Sequence, residues 1–369
     1  MRVGFYAPLK PPHHPTPSGD RLMARLLIDA LSLGGHQIRI MSRFRSRDGT
    51  GDPARQARLA ALGRRLADRI APEPAPDLWF TYHLYHKAPD LIGPAVADRL
   101  GIPYVVAEAS FAPKQADGPW AAGHAAVAAA LARADAVIGL NPADAEGVRP
   151  LLADPARYHA LPPFLDTRAF EAARQRRAAT RSVLALAQDL DPDQPWLVAV
   201  AMMRPGDKLA SYHLLGQALT RLLDRPWRLL VIGDGRARDD VGTALAPLGR
   251  RVAWLGAQDR IADLVAAADL LVWPAVREAW GMALLEAEAA GVPVVAGRVG
   301  GVPSIVAAGE TGLLTPDGDV GALADAVAAL LDDPARRRTM GAAAADYAAR
   351  HHGLDAASRQ LDAILRGLT

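Results

Sequence analysis

The segment Leu270–Gly291, LLVWPAVREAWGMALLEAEAAG, contains the two patterns that decide the fold. Its first five residues, LLVWP, are a short and continuous apolar run that ends at a proline, which is typical of a buried strand. From Gly281 onward alanine, leucine and glutamate dominate until Gly291, and this composition predicts a helix. The segment therefore predicts a strand, a loop and a helix, with Glu278 in the loop and Glu286 in the helix.

The start of the predicted helix, at Gly281 and Met282, is a suitable place for a phosphate group. A helix N-terminus presents unpaired backbone N–H groups and a partial positive charge, and both attract anions. Because helical side chains lean toward the N-terminus, Glu286 points back toward such an anion and can accept hydrogen bonds from sugar hydroxyls. Glu278 then stands on the other side of the anion. The pattern fits a phosphate-linked sugar between two carboxylates, although an ordinary strand–helix unit with solvated glutamates has the same pattern.

Length and composition limit the classes of protein to which the chain can belong. Its 369 residues, 50% of them hydrophobic, are sufficient for two α/β domains with separate cores. The absence of cysteine excludes disulfides, thiolate zinc sites and a cysteine nucleophile. No apolar run reaches about 18 residues and the N-terminus resembles a strand rather than a signal peptide, so we expect a cytoplasmic protein. A net charge of +2 gives no support to nucleic-acid binding.

Apolar runs alternate with helical patterns in both halves of the chain, which predicts parallel sheets covered by helices on both faces. In such sheets, ligands bind beyond the carboxyl ends of the strands. In the N-terminal half these ends are followed by Ala7–Asp20, His83–Lys87, Glu108–Lys114 and Asn141. Gly19, in the first of these loops, can let the backbone approach a ligand closely, or it can belong to a plain helix cap.

Lysine is rare in this sequence, with four lysines among 42 basic residues. One of them, Lys208, follows the first strand predicted in the second half, Trp196–Ala201. A compact ammonium binds phosphate as a point charge, and an arginine such as Arg204 in the same loop can hold it through two hydrogen bonds. These two cations are therefore candidates for a phosphate site.

Residues 271–319 closely resemble the C-terminal core of the retaining, nucleotide-sugar-dependent glycosyltransferases of family 4, the "glycosyl transferases group 1". The signature of that family is a Glu, seven residues and a second Glu, followed by Ala-x-Ala-x-Gly-x-Pro-Val-Val and a Gly-Gly-Val-Pro loop. Glu278 and Glu286 fill the two glutamate positions, Ala287–Val295 fills the next element, and Gly300–Pro303 fills the loop. This match is far more specific than the glutamate spacing alone.

The resemblance implies an α/β fold of the GT-B type, in which two Rossmann-like domains with parallel sheets face each other across a cleft. It implies an acceptor-binding domain over residues 1–168 and a nucleotide-sugar donor domain over residues 169–350. A C-terminal helix, residues 351–369, is expected to pack back on the N-terminal domain. The implied reaction moves a sugar from a nucleotide diphosphate-sugar to an acceptor hydroxyl. It retains the anomeric configuration and needs neither a metal nor a cofactor.

The same resemblance implies a role for each candidate residue of the second half. Arg204 and Lys208 would hold the donor diphosphate, together with the amides near Gly281 and Met282. Glu286 would bind the ribose hydroxyls, and Glu278 would contact the donor sugar as a catalytic residue. The loop departs from the family pattern, because a methionine precedes the arginine where the family has glycine, and because the step from arginine to lysine is four positions rather than five.

A second departure concerns a histidine that the family commonly has after the strand corresponding to Pro103–Ala109. Here the segment Val106–Ser110 contains no histidine. The resemblance therefore leaves three candidates for the vacant role: Glu108 in the same loop, and His83 or His86 at the end of a neighbouring strand. Each of the three can equally have a structural role.

Two other functions share the same features, namely a nucleotide-sugar 2-epimerase and a non-catalytic nucleotide-sugar binder that supports a partner enzyme. The expected partners are a nucleotide-sugar donor and a carbohydrate or lipid-linked acceptor. Between Arg39 and Arg69, nine arginines stand against three aspartates, a balance of 9 − 3 = 6 positive charges. This region is either a solvated helix face or a peripheral contact with the inner membrane surface.

Overall fold

A computed structural model describes residues 1–16, 18–278 and 280–368. The chain divides into two compact units, here called unit 1 (Met1–Pro162 with Leu354–Thr369) and unit 2 (Pro163–Gly353). Each unit contains one six-stranded sheet, and every strand pairing within the two sheets is parallel. The α/β class with two Rossmann-like parallel sheets, expected from the sequence, is thereby confirmed.

The strands are β1 Arg2–Tyr6, β2 Gln37–Ser42, β3 Leu78–Leu84, β4 Tyr104–Ala109, β5 Ala136–Gly139, β6 Tyr158–Ala160, β7 Trp196–Val200, β8 Arg228–Ile232, β9 Val252–Gly256, β10 Leu270–Trp273, β11 Val294–Gly297 and β12 Gly312–Thr315. The α-helices are α1 Gly19–Leu33, α2 Pro53–Arg69, α3 Gly93–Leu100, α4 Ala121–Arg133, α5 Ala145–Val148, α6 Arg168–Gln175, α7 Arg177–Gln188, α8 Asp207–Thr220, α9 Arg238–Leu245, α10 Ile261–Ala266, α11 Met282–Ala289, α12 Val320–Asp332, α13 Pro334–His352 and α14 Leu354–Arg366.

The order of strands follows from alternating strand–helix connections. In unit 1 the order across the sheet is β2-β1-β3-β4-β5-β6, and in unit 2 it is β12-β11-β10-β7-β8-β9. All four residues of β10 and of β11 are buried, as expected for strands covered on both faces. The strands β7 and β10 are neighbours and parallel, so their carboxyl ends lie side by side in the middle of the unit 2 sheet.

Two features of the fold were not predicted. The strand β6 was missed, because Tyr-His-Ala contains no apolar run and the strand pairs with β5 alone at the edge of the sheet. The helices α6 and α7 cover most of the segment Glu171–Pro195. The side chains of Arg177 and Arg181 in α7 bind Asp269 at 2.7 and 3.0 Å, a tertiary contact that attaches this helix to the start of β10.

The last helix, α14, belongs to unit 1, where it packs against α1. His36 Nε2 lies 3.1 Å from Asp362 Oδ1, and the Gln360 side chain donates a hydrogen bond of 2.6 Å to the carbonyl of Ala160. Among the residues that the structure describes, no helix combines the length and the apolar character needed to cross a bilayer.

Candidate active site

In unit 2, the loop between β10 and α11 is held by the first turns of α8. The backbone N–H of Val276 donates a hydrogen bond of 3.0 Å to Ser211 Oγ, and Arg277 Nε donates one of 2.8 Å to Asp207 Oδ1. Ala275 and Arg277 have φ values of 63° and 46°, a left-handed region that residues other than glycine seldom adopt. Such backbone strain persists only where surrounding contacts hold it, and it is frequent at functional sites.

The same turn of α8 brings Lys208 into an ion pair with Glu278 Oε2. Trp273, the last residue of β10, donates a hydrogen bond of 3.2 Å from Nε1 to the same carboxylate oxygen. The Lys208 ammonium also lies 5.5 Å from the centre of the Trp273 ring, within the range of a cation–π contact. Lys208 and Glu278, which the sequence analysis assigned to the diphosphate and to the sugar of the donor, are therefore in direct contact.

The start of α11 requires glycine at position 281. Gly281 has a φ of 75°, and a Cβ atom added there would lie 2.8 Å from Leu284 Cδ1 and 3.6 Å from Glu278 Cγ. Its carbonyl accepts the first hydrogen bond of the helix, from Leu284 N at 2.8 Å. Met282 is the first residue of α11. The N–H groups of this first turn thus open beside the loop that contains Glu278, as the sequence predicts.

Glu286 and Glu288 lie in the last turns of α11 and differ in their surroundings. Glu286 is half-buried, and burial raises the pKa of its carboxyl to about 7. Glu288 is fully buried, and burial raises its pKa to about 8 although Thr311 Oγ1 donates a hydrogen bond of 2.5 Å to its Oε1. Glu286 can therefore accept or donate hydrogen bonds near neutral pH, whereas Glu288 holds the segment before β12.

We expect Glu288→Gln to stabilise the protein at alkaline pH. Because the folded-state pKa of about 8 lies above the ordinary glutamate value of 4.5, this group's contribution to stability is complete below pH 4.5 and is lost as the pH rises through 8. Glutamine keeps an oxygen for Thr311 but carries no charge. Thermal unfolding should show equal midpoints at pH 5 and, at pH 9, a gain for the variant of at least about 1 kcal/mol, or roughly 2–4 °C. Glu310→Gln, at an exposed position, is the control; equal pH profiles for Glu288→Gln and the wild type would contradict the prediction.

The loop that contains Arg204 is held by close backbone packing. Gly233 and Gly235 have φ values of 143° and 151°, and a Cβ atom on either would lie 1.9 Å from Ala201 O or 2.2 Å from Met203 O. No side chain can replace these hydrogens without moving the loop after β7. Arg204, which follows Met203 in this loop, is exposed. The loop itself is thus fixed, while the predicted arginine extends from it into solvent.

In unit 1, the structure brings together Asp20, His83 and Glu108. His83 Nδ1 lies 3.3 Å from Asp20 Oδ1 and 3.8 Å from Glu108 Oε2. His83 and Glu108, at the ends of the neighbouring strands β3 and β4, have φ values of 64° and 57°. Two such backbone conformations in one ion cluster indicate a functional site rather than ordinary strand ends.

The three groups of this cluster shift one another's pKa values. Burial by itself lowers the pKa of His83, but Asp20 and Glu108 outweigh burial and raise it above its usual value. Burial raises the pKa of Glu108, and the charge of His83 only partly opposes this. The contact with His83 lowers the pKa of Asp20. The cluster can therefore hold a proton on the imidazole while keeping a buried carboxyl next to it.

The remaining candidates, Gly19 and His86, contribute no side chain to either ion pair cluster. Gly19 begins α1, where Ser18 Oγ accepts a hydrogen bond of 3.3 Å from the backbone of Arg21, and a Cβ on Gly19 would meet open space. It belongs to unit 1, whereas the other donor candidates belong to unit 2. The ring of His86 lies 5.8 Å from that of Trp120 and takes no part in the ion cluster.

Sequence reasoning missed three partners of the candidate residues. Trp273 was interpreted only as part of a buried strand, although its position at the carboxyl end of that strand is a signal for a site residue. Asp207 received no role, and Asp20 was considered only as a helix cap and as the end of the candidate loop Ala7–Asp20. Among residues 1–16, 18–278 and 280–368, no three His, Asp or Glu side chains are grouped so as to hold a metal ion.

Sequence comparison with known proteins finds a family match within unit 2. Residues 194–333, within unit 2, match the family model described as "Glycosyl transferases group 1". The chain is similar to D-inositol 3-phosphate glycosyltransferase 2 of Catenulispora acidiphila, with 34% identity over 241 residues, which is 60% of this chain and 54% of that protein. The chain spans about half the length of the curated relatives it matches.

Solved structures match over the whole chain. The crystal structure of Anabaena Alr3699/HepE in complex with UDP covers 100% of both chains with a TM-score of 0.73 and 17% identity. The crystal structure of a glycosyltransferase from Rickettsia africae covers 100% of this chain and 98% of that chain, with a TM-score of 0.74 and 14% identity. The chain therefore has the two-domain GT-B fold of these structures, and its residues 194–333 match the group 1 glycosyl transferases.

Proposed function

We propose that the protein is a glycosyltransferase that moves a sugar from a nucleotide diphosphate-sugar to a hydroxyl group of an acceptor. The observation that carries this proposal is the ion pair between Lys208 and Glu278 in the loop before α11, within the segment that matches the group 1 glycosyl transferases. A cation, a carboxylate and open helix N–H groups at one strand edge are suited to a diphosphate joined to a sugar.

The donor would bind unit 2 in an extended orientation. Lys208 and Arg204 would hold the diphosphate, with the amides at Gly281 and Met282. Glu286, whose pKa of about 7 lets it donate or accept, would bind the ribose hydroxyls. Glu278 would contact the sugar. A diphosphate that takes the Lys208 ammonium must compete with the Glu278 carboxylate, so donor binding would release that carboxylate toward the sugar.

In the proposed reaction, the bond from the anomeric carbon to the diphosphate oxygen breaks, and a bond from that carbon to the acceptor oxygen forms. Negative charge grows on the leaving diphosphate, and preorganised cations and N–H groups stabilise it in a site that excludes water. This chemistry needs no metal, and we propose that it retains the anomeric configuration, as in family 4. We do not assign Glu278 as a nucleophile.

Unit 1 would bind the acceptor, with Glu108 and His83 as the catalytic residues at its hydroxyl. Their contact of 3.8 Å, with Asp20 at 3.3 Å, gives the proton of that hydroxyl a nearby carboxyl and imidazole. The acceptor would be a carbohydrate or a lipid-linked molecule. For a lipid-linked acceptor, the basic helix α2, in which only Gly63 and Ala67 are buried, would lie on an anionic membrane surface at the cytoplasmic side.

Thermal unfolding with nucleoside diphosphates tests the donor site. We expect one of UDP, GDP, ADP, CDP and dTDP to raise the midpoint, and the shift to persist in EDTA. A ligand at a hundred times its dissociation constant stabilises the folded state by about 2.7 kcal/mol. UDP is the first choice, because Anabaena Alr3699/HepE was solved with it. If none of the five raises the midpoint, the proposed donor site is wrong; if EDTA abolishes the shift, the metal-independent scheme is wrong.

A further inference from the structure

Unit 1 contains a cavity of about 240 Å³ that the proposed roles do not use. It lies between α2, the loop after β3 and the start of α4. Its lining residues are Ser46, Asp48, Gln56, Leu59, Ala60, Arg64, His86, Lys87, Pro89, Leu91, Trp120, Ala122, Gly123 and Ala126. This volume lies just below the range of about 300–1,000 Å³ for ligand sites and fits one compact group of the size of a single ring.

Hydrogen bonds between distant segments hold the cavity walls. The backbone N–H of Asp48 donates to the Lys87 carbonyl at 2.8 Å, and Trp120 Nε1 donates to the Asp48 carbonyl at 3.0 Å. Gln56, in α2, donates to the Pro119 carbonyl at 2.8 Å. Three segments far apart in the sequence, residues 48–56, 87 and 119–120, thus meet through these bonds. The cavity is therefore a built feature of the fold rather than a gap between mobile loops.

The charges around the cavity favour an anion. Lys87 Nζ lies 4.1 Å from the centre of the Trp120 ring, and Arg64 is exposed at the rim. Neither cation forms an ion pair with any residue in the described part of the chain. The one acid in the lining, Asp48, is already satisfied by neighbouring groups, including Thr50 Oγ1 at 2.8 Å and Arg55 Nε at 3.5 Å. The cavity therefore has two positive charges for which no described residue compensates.

A buried hydroxyl also points to a ligand. Ser46 is 2% exposed, and its Oγ has no hydrogen-bond partner among the residues that the structure describes. A buried polar group without a partner costs about 1–3 kcal/mol, so such groups are rarely left unsatisfied. Ser46 lines the cavity, and an oxygen of a bound molecule can supply the missing bond.

The distribution of lysines along the chain also favours an anion site at Lys87. All four lysines of the chain, Lys10, Lys87, Lys114 and Lys208, lie in segments that follow the carboxyl end of a strand. The remaining 38 basic residues (42 minus 4) are arginines. In both sheets the lysines therefore lie at the edge where parallel α/β sheets bind ligands.

We propose that this cavity binds an anionic group, phosphate or carboxylate, attached to a compact apolar body. Lys87 and Arg64 hold the anion, Ser46 donates a hydrogen bond to it, and Trp120 with the apolar lining contacts the body. This molecule is the acceptor or a part of it, an identification that rests on the proposed sugar transfer. The anion belongs either to a small soluble acceptor or to the head group of a lipid.

Calorimetric titration with phenyl phosphate tests the cavity directly. We expect saturable binding to the wild type, and binding at least about tenfold weaker to Lys87→Met, because the charge-assisted contact is lost while the length of the side chain is kept. Ala126→Phe, which fills the cavity from α4, should weaken binding to the same degree. Lys114→Met, at an exposed lysine outside the lining, should bind within about twofold of the wild type.

Flotation with vesicles distinguishes the two sources of the anion. Binding to phosphatidylglycerol vesicles but not to phosphatidylcholine vesicles, lost in Lys87→Met, assigns the cavity to a lipid head group. Binding of phenyl phosphate without vesicle binding assigns it to a soluble acceptor. Unchanged phenyl phosphate binding in Lys87→Met, or no saturable binding to the wild type, overturns the proposal. Phenyl phosphate binding that depends on Lys87 in a protein that binds no nucleotide would disprove the sugar transfer and leave the anion site standing.

Discussion

Replacing Glu278 with glutamine is expected to lower the turnover of sugar transfer by about two to three orders of magnitude. The carboxylate lies in the loop before α11, in contact with Lys208 and 3.2 Å from Trp273 Nε1. In the proposed reaction it contacts the sugar, where positive charge develops as the bond to the diphosphate breaks. Glutamine keeps an oxygen for the Trp273 hydrogen bond but loses the negative charge. The measurement is the rate of nucleotide release in the presence of acceptor.

The same variant should bind the nucleoside diphosphate at least as tightly as the wild type, because the diphosphate no longer competes with a Glu278 carboxylate for the Lys208 ammonium. This combination separates a catalytic role from a structural one, since a loop that had lost its shape would lose both turnover and affinity. Glu171→Gln, at an exposed position of α6, is the matched control and should keep full turnover. Full turnover in Glu278→Gln would remove this residue from the proposed mechanism.

Replacing Lys208 with methionine is expected to weaken nucleoside diphosphate binding by about ten- to a hundredfold. Its ammonium pairs with Glu278 in the loop between β10 and α11, and methionine keeps the length of the side chain without the charge. Turnover should fall further than affinity, because negative charge on the diphosphate increases as the sugar departs. Binding is measured by calorimetric titration with UDP, and Lys114→Met serves as the lysine control.

The double variant Lys208→Met/Glu278→Gln tests whether the ion pair between these two residues has a role in turnover. If the two residues act on one donor molecule and exchange partners when it binds, the effects of the single variants on turnover will not add. If the pair only stabilises the loop, the double variant will recover thermal stability without any coupling in turnover. Nucleotide affinity of Lys208→Met equal to that of the wild type would exclude the lysine from the diphosphate site.

Local pattern was sufficient for most of the secondary structure. The apolar run before Pro274 is β10, because a strand buried on both faces needs a continuous run of apolar residues. The alanine-, leucine- and glutamate-rich segment after Gly281 is α11, because these residues have high helix propensity. The missed strand β6 has three residues at a sheet edge, where one pairing partner rather than its own composition makes it a strand. The arginines of α7 likewise find their partner, Asp269, 92 and 88 positions further along the chain.

The candidate residues were identified from the sequence, but their contacts were not. The resemblance assigned Lys208 and Glu278 to separate parts of the donor, and only the structure shows the ion pair between them, 70 positions apart. The same holds for the cluster of Asp20, His83 and Glu108 and for the cavity beside Trp120. Each is formed by segments that follow different strands, so neither could be predicted from local sequence. The sequence by itself determined the fold class and the chemistry available at the strand ends. Only the tertiary structure decided which of those groups meet, because ion pairs, burial and pKa shifts depend on distances that the pairing of strands sets.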